Sequence, residues 1–158
     1  MNLAQLSEKD LLRLHASVID ELKKRGVVRT KNNPVGDYTE WLVAKALRLH
    51  LAGKSEAGCD ATDSKGLRYQ IKGRRVTPDN PSRQLSAIRN LDAKEFDVLA
   101  AVILDANYDV TDAVLVPHEV IGQYATYRKH VNAHVLHLRG GILNDPRVKK
   151  IAALKPAS

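Results

Sequence analysis

The stretch that most constrains the fold is a pair of short strand-like runs separated by a turn, residues 58–72. In the second run, the apolar residues Tyr69 and Ile71 alternate with polar ones. Successive side chains of a strand point to opposite faces of a sheet, so this run has one apolar face and one polar face. Gln70 and Lys72 share the polar face, about 7 Å apart along the strand.

The turn between the two runs decides which residues face each other. If residues 64–66 form a three-residue loop, with Gly66 in the left-handed conformation that glycine adopts easily, Asp60 pairs with Gln70. Directly opposed residues share a face of the sheet at roughly 5 Å. A carboxylate, a carboxamide and the ammonium of Lys72 would then converge on one patch. A slip of one residue in the pairing would separate them.

This patch suits a divalent cation and the hydrolysis of a phosphate ester. The carboxylate of Asp60 and the neutral oxygen of Gln70 can supply part of a Mg²⁺ coordination sphere, which water and a substrate phosphate complete. The ammonium of Lys72 can orient the attacking water and offset the charge that builds on the phosphate. Asp63 is a competing ligand, although aspartate is also favoured at a hairpin end for turn geometry alone.

The spacing of these residues resembles the motif of a known enzyme superfamily. An aspartate on one strand, followed on the next strand by Gln70, one spacer and Lys72, resembles the PD-(D/E)xK nucleases in the QxK form of the Mrr-type restriction nucleases. The run from Asp60 through Gly66 and Tyr69 is also similar to the active-site hairpin of restriction endonucleases. The sequence departs from the wider pattern at Gln70, where a glutamate ligand is expected.

The resemblance implies a fold, a reaction and partners. The implied fold is α/β, a restriction-endonuclease-like core with a central mixed β-sheet flanked by helices. The implied reaction is Mg²⁺-dependent hydrolysis of DNA, with Mn²⁺ as a substitute, leaving a 5′-phosphate and a 3′-hydroxyl. An enzyme of this kind that cuts both strands is usually a symmetric homodimer. A catalytically silent nucleic-acid-binding protein, a junction resolvase and an RNA substrate remain open as alternatives.

Glu40 is a further candidate for the site. Helical spacing places it on the same face as Val43 and Leu47, so its carboxylate leans toward the core. A half-buried carboxylate needs a partner, such as Lys72 or a metal ion shared with Asp60. The resemblance implies that a glutamate from the helix before the hairpin joins the site, and Glu40 stands at that place. The alternative is a salt bridge at the edge of the core.

Length and composition indicate a single globular domain. The chain has 158 residues, 44% of them hydrophobic and 27% charged, which suits one domain over residues 1–158, with residues 1–33 as an N-terminal helical segment packed on the core. No apolar run approaches the roughly 20 residues that cross a bilayer, and the N-terminus lacks the pattern of a signal peptide. We therefore expect a cytoplasmic protein, and a single cysteine agrees with a reducing compartment.

The charge of the chain favours a polyanionic partner. The net charge is +7, and residues 66–90 carry six basic residues against one acidic residue. We expect Arg74, Arg75, Arg83 and Arg89, which belong to this segment, to line the path of DNA. The alternative is a solvated basic surface without a partner.

The other elements are predicted from periodicity and capping signals. Helices are expected from Ser7 to Gly26, from Pro34 to Leu51, over residues 82–91, from Pro117 toward Tyr127, and after Asp145-Pro146; strands are expected over residues 96–104 and 113–116. His130, His134 and His137 have spacings that could bind zinc, but no second type of ligand accompanies them, so we set that site aside.

Overall fold

The computed structural model of the protein describes residues 1–53 and 58–156. The helices assigned there are α1 (Glu8–Lys24), α2 (Val35–Leu47), α3 (His118–Tyr124) and α4 (Gly141–Asn144). The strands are β1 (His50–Leu51), β2 (Ala61–Thr62), β3 (Arg68–Arg75), β4 (Val98–Leu104), β5 (Val110–Pro117), β6 (Thr126–Arg128), β7 (Ala133–Val135) and β8 (Lys149–Lys150).

Six of these strands form one mixed sheet in the order β1-β2-β3-β4-β5-β8. Strands β3 and β4 are parallel, and the other neighbouring pairs are antiparallel. Strands β6 and β7 form a separate antiparallel pair. Helix α2 packs on one face of the large sheet, and α3 and α4 pack on the other. The predicted α/β fold with a central mixed sheet flanked by helices is confirmed.

Strand β4 is the centre of the core. Every residue from Leu99 to Leu104 is buried, as expected for an apolar run covered on both faces. Ala100, Val102 and Leu104 pack with residues of α2, whereas Leu99, Ala101 and Ile103 pack with residues of α3 and α4. Because β3 runs beside β4, its side chains divide between the same two faces.

The β2–β3 hairpin has the register that the sequence predicts. Ala61 pairs with Tyr69 and Thr62 pairs with Arg68, which places Asp60 opposite Gln70. Gly66 has a φ of +81° in the loop, the left-handed conformation in which glycine carries no steric penalty. The three-residue loop therefore fixes the polar face of β3.

A glycine allows α2 to approach β3 closely. A Cβ atom placed on Gly73 would lie 1.9 Å from the Thr39 Oγ1 and 2.8 Å from the Thr39 Cβ. Thr39 is fully buried, and its hydroxyl donates to the Val35 carbonyl within the helix at 2.7 Å. The next residue of α2 is Glu40, so this contact sets how near Glu40 comes to the hairpin.

The prediction of a helix over residues 82–91 is wrong. Residues 82–91, called the strap below, cross the sheet face that carries Leu99 and Ile103 without forming an α-helix; Asn90 takes a left-handed φ of +52°, and Leu91 begins a short 3-10 helix. The strap forms isolated bridges from Gln84 to His137 and from Ile88 to His134. Its apolar side chains Leu85, Ile88 and Leu91 are buried in that core. Their three-residue spacing is typical of a helix, but these side chains are buried because the strap packs on the sheet.

Two predicted helix ends and one predicted helix are also wrong. Helix α2 stops at Leu47 because Arg48 takes a left-handed φ of +54°, and Leu51 lies in β1. Helix α3 ends at Tyr124, short of Tyr127. No helix follows Asp145-Pro146 in the part of the chain that the structure describes, because Lys149–Lys150 pairs with β5 as β8.

Helix α1 is amphipathic and leaves much of its apolar surface exposed. Its N-cap is confirmed, because the Ser7 hydroxyl oxygen accepts the Asp10 N–H at 3.2 Å. Ile19 is the buried residue of this helix, whereas Leu12 and Val18 are 70% and 48% exposed. None of the helices in residues 1–53 and 58–156 is long and apolar enough to cross a membrane.

Candidate active site at the β2–β3 hairpin

The hairpin brings Asp60 and Gln70 into direct contact. Asp60 precedes β2, and its Oδ2 accepts hydrogen bonds from the Gln70 Nε2 at 2.8 Å and from the Ile71 N–H at 2.7 Å. The Ile71 amide is free to donate because β2 is too short to pair with that part of β3. The Asp60 carboxylate thus occupies the position of a missing strand residue at the edge of the sheet.

Lys72 lies on the same face and near the same carboxylate. Its Nζ donates to the Ser86 Oγ of the strap at 3.0 Å. Burial lowers the pKa of Lys72, and the attraction of Asp60 opposes that change. Burial likewise raises the pKa of Asp60, against the hydrogen bond from Ile71 and the charge of Lys72. Asp60 and Gln70 are thus in contact, and Lys72 lies near enough to Asp60 for each to affect the pKa of the other.

Glu40 is paired with an arginine that the sequence analysis did not single out. The Arg29 guanidinium contacts the Glu40 Oε2 at 2.6 Å, and its second nitrogen donates to the Ala52 carbonyl at 2.9 Å. Glu40 therefore forms its ion pair with Arg29 and not with Lys72, the partner that the sequence analysis named. Burial raises the pKa of Glu40, the Arg29 hydrogen bond lowers it, and the negative charge of Asp60 raises it again.

Glu40 and Asp60 line one cavity of about 210 Å³. The negative charge of Asp60 contributes to the raised pKa of Glu40, as expected for two carboxylates on one cavity. The cavity is bounded by side chains and backbone of the loop after α1, the first turns of α2 and the residues before β2: Arg29, Thr30, Asp37, Glu40, Ala52, Gly53, Cys59 and Asp60. The carboxylates of Asp37, Glu40 and Asp60 and the guanidinium of Arg29 therefore line a small polar volume, and the ammonium of Lys72 lies near Asp60.

The oxygen atoms of Asp60, Glu40 and Gln70 are of the type that binds a hard divalent cation. Asp60 Oδ1 and Glu40 Oε1 make no hydrogen bond to any residue that the structure describes. Gln70 contacts Asp60 through its Nε2, so the Gln70 side-chain oxygen is available as a metal ligand. Mg²⁺ prefers oxygen ligands of this kind. Among residues 1–53 and 58–156 there is no group of three or more histidine, cysteine, aspartate or glutamate side chains arranged for a metal. The candidate set holds two carboxylates and one carboxamide.

Asp63 has the role of a turn residue. Its Oδ1 accepts the backbone N–H groups of Lys65 and Leu67, both at 2.9 Å. Its Oδ2 is at the 3.5 Å limit of a hydrogen bond from the Tyr69 hydroxyl. These bonds close the hairpin loop, which agrees with the structural alternative for Asp63.

The four arginines predicted to line a DNA path lie in different surroundings. Arg74 is on the same sheet face as Lys72 and donates to the Ser82 carbonyl and the Asn80 side chain. Arg75 is on the opposite face, where its guanidinium stacks on Tyr108 at 4.7 Å. Arg83 forms an ion pair with Asp112, and Arg89 is exposed and donates to the Val131 carbonyl. Arg74 is the arginine of the four that the fold places next to the candidate site.

Two residues of the site, Arg29 and Ser86, were missed by sequence reasoning. Arg29 lies in an irregular segment whose backbone N–H is held by the Asp37 Oδ2 at 2.8 Å. The Asp37 oxygen also accepts the Thr30 N–H at 2.8 Å, so the first turn of α2 positions the loop. Ser86 reaches Lys72 because the strap crosses the sheet. Neither residue belongs to a periodic pattern that would have revealed it.

Comparison with known proteins adds no assignment to this geometry. No protein-family model matches the chain, and no curated protein is similar enough to it to be matched. The class of the protein therefore has to be argued from the hairpin and its neighbours alone.

Proposed function

We propose that the protein is a metal-dependent endonuclease that hydrolyses phosphodiester bonds of DNA, with a site of the PD-(D/E)xK type. The observation that carries this proposal is the contact of Asp60 with Gln70 at 2.8 Å, with Lys72 on the same face and Glu40 on the same cavity. An acidic residue, a neutral oxygen ligand and a cation close together are what metal-assisted phosphoryl transfer requires. A restriction-like role in the cytoplasm is part of the same proposal.

Asp60, Gln70 and Glu40 would hold the ion, which is Mg²⁺ with Mn²⁺ as a substitute. When bound, the ion would polarise a phosphoryl oxygen and lower the pKa of a coordinated water. Arg29 holds one oxygen of Glu40, a residue that lines the cavity. Lys72, anchored by Ser86, would orient the attacking water and offset the charge that develops on the phosphate.

The proposal is tested with supercoiled plasmid, methylated and unmethylated, incubated with Mg²⁺ or Mn²⁺ and with EDTA. We expect metal-dependent cleavage that Lys72→Ala lowers on the order of a hundredfold or more, because it removes a charge that acts in the transition state. Lys65→Ala is the matched control, since Lys65 is an exposed residue of the hairpin loop. Full activity of Lys72→Ala, or cleavage that EDTA does not stop, would contradict the proposed chemistry.

The second candidate function is a nucleic-acid-binding protein on the same scaffold without catalysis. The observation in its favour is that Gln70 brings no charge to the site while Arg29 already neutralises Glu40. Affinity for hard cations depends on the charge of the ligands, so such a site binds metal weakly. Binding of duplex, junction or RNA ligands without cleavage at any metal concentration would select this function. Cleavage of a junction alone would identify a structure-specific nuclease.

We also propose that two copies of the chain associate through α1, so that each candidate site faces one DNA strand. The exposed side chains of Leu11, Leu12 and Val18 offer an apolar surface. The first turn of α1 is acidic and its last turn is basic, so an antiparallel pairing of two α1 helices would be complementary in charge. Light scattering should then give a dimer mass, and Leu12→Glu should give a monomer. A monomeric wild-type protein at high concentration would contradict this interface.

A further inference from the structure

The polar face of β3 continues beyond the candidate site. Lys72 and Arg74 point to the same face, next to Ala101 and Ile103 of β4. Alternate residues of a strand are about 7 Å apart, which is comparable with the distance between successive phosphates of a nucleic acid strand. If Lys72 meets the phosphate that is cleaved, Arg74 lies at the distance of the next one.

A groove of about 510 Å³ accompanies this part of β3. It is lined by residues near the N-terminus of α2, by residues of β3 and by residues of the segment after β3: Asn33, Val35, Gly36, Gly73, Arg74, Arg75, Thr77, Asn80 and Ser86. No carboxylate is among the residues that line the groove. Ser86 is also the residue that accepts the hydrogen bond from Lys72, so the groove begins at the candidate site.

The edge of β3 adds a backbone donor to the groove. The Ile71 N–H points toward the β2 side, where it reaches Asp60. Amide groups of alternate strand residues point to the same side, so the Gly73 N–H is directed to this edge. Within β3, strand β2 pairs with Arg68 and Tyr69 and reaches no further, so no described strand covers the edge at Gly73. The groove therefore offers an amide donor beside a guanidinium.

The charge of Arg74 is not neutralised by a carboxylate among the described residues. Its Nε donates to the Ser82 carbonyl at 3.1 Å, and its terminal nitrogen donates to the Asn80 Oδ1 at 3.0 Å. Both contacts hold the guanidinium in place and leave its positive charge uncompensated. Arg68 is the contrasting case on the other side of Gln70, because Asp97 binds it at 3.0 and 3.1 Å. Of these two arginines on β3, the one whose charge is not neutralised by a described carboxylate is therefore Arg74, on the Lys72 side of Gln70.

We propose that this groove binds the phosphate adjacent to the one that is cleaved, with Arg74 as the main contact, on one side of the cleaved bond. The inference rests on the proposed function and deepens it. The substrate is an internal bond of a nucleic acid strand rather than an isolated phosphodiester, and recognition is asymmetric about that bond. Charge-assisted hydrogen bonds from a positioned arginine to a phosphate are among the strong ones, so this contact should contribute measurably to turnover.

The cleavage test uses single charge-neutralised phosphates. Cleavage positions are first mapped on plasmid DNA with Mg²⁺, and duplexes are then made with one methylphosphonate next to the cleaved bond, on either side. For the wild type, kcat/KM should fall at least about tenfold for the modification on one side and remain unchanged for the other. Arg74→Ala should lose a similar factor on unmodified DNA and should no longer respond to the modification.

Arg128→Ala is the matched control, because Arg128 is exposed on β6 in the separate two-stranded sheet. This variant should respond to the methylphosphonate as the wild type does. Cleavage by the wild type that ignores both modifications, or full sensitivity retained in Arg74→Ala, would overturn the groove while leaving the proposed nuclease function intact.

A binding measurement keeps the test independent of cleavage. In the presence of EDTA, Arg74→Ala should weaken binding of a duplex and reduce the slope of log K against log salt by about one, the change expected for one lost phosphate contact. An unchanged slope would overturn the groove. Absence of cleavage with a reduced slope would instead reject the proposed catalysis and retain the groove as a phosphate-binding site.

Discussion

The contact between Gly73 and Thr39 gives a prediction that tests how α2 is held against the hairpin. A Cβ at position 73 would lie 1.9 Å from the Thr39 Oγ1 and 2.8 Å from its Cβ. Contacts below 3.0 Å require atoms to move, and Thr39 is fully buried on a helix, so α2 itself has to shift. Forced overpacking of this kind costs about 1–3 kcal/mol. Gly73→Ala should therefore lower the melting temperature by about 2 to 12 °C in a domain of this size.

The sign of the change distinguishes this contact from ordinary glycine behaviour. An alanine that fits its site stabilises a protein by about 0.4–1 kcal/mol, because it restricts the unfolded chain. Gly122→Ala in α3 is the control, since a Cβ there meets nothing within 4 Å. Thermal unfolding followed by circular dichroism should show Gly73→Ala below the wild type and Gly122→Ala at or above it.

A second substitution tests whether the cost arises from Thr39. Thr39→Gly removes the clashing atoms but costs about 1 kcal/mol as a glycine within a helix, and it also loses the packing of a buried side chain. In the double variant, the two changes should be coupled by about 1–3 kcal/mol in the favourable direction, since the clash is then absent. Because Glu40 follows Thr39, Gly73→Ala should also reduce any metal-dependent activity. A Gly73→Ala protein as stable as the wild type, or additive effects in the double variant, would refute the close approach of α2 to β3.

Three further predictions concern the metal ligands and one surface ion pair. If Glu40 and Asp60 share an ion, saturating Mg²⁺ should raise the melting temperature, because Mg²⁺ at a hundredfold excess over Kd adds about 2.7 kcal/mol to the free energy of unfolding. Glu40→Gln should reduce that rise. An unreduced rise would mean that Asp60 and Gln70 bind the ion without Glu40. Gln70→Glu should strengthen Mg²⁺ binding measured by calorimetry, and unchanged affinity would exclude Gln70 as a ligand. The hydrogen bonds from Arg68 lower the pKa of Asp97 to about 2, so its contribution to stability should be lost as the pH falls from about 4 to 2, and melts of Asp97→Asn should lack that component of acid destabilisation.

The parts of the fold that sequence could predict are those with local causes. The hairpin register followed from a glycine that favours the left-handed conformation and from strict alternation in the next strand. The central strand β4 followed from an uninterrupted apolar run. The start of α1 followed from Ser7 and Asp10, whose hydrogen bonds lie within four residues. In each case, the residues that determine the structure are adjacent in the chain.

The parts that sequence could not predict depend on distant contacts. Leu85, Ile88 and Leu91 have a helical spacing, but the strap is not an α-helix because it pairs with His134 and His137 and packs on β4. Local periodicity cannot reveal such pairing. The partner of Glu40 was missed for the same reason, since Arg29 reaches it from a loop that is positioned by α2.

The two faces of strand β3 meet different structural demands. Its odd-numbered residues Tyr69 and Ile71 are buried against α2, and Gly73 is constrained by Thr39. Its even-numbered residues Gln70 and Lys72 face the candidate site. Under the proposed function, descendants that lose activity but keep the fold should therefore change at even positions while the odd positions persist. A relative in which only the odd positions are retained would be recognisable, from sequence alone, as a protein that has kept the scaffold and abandoned the chemistry.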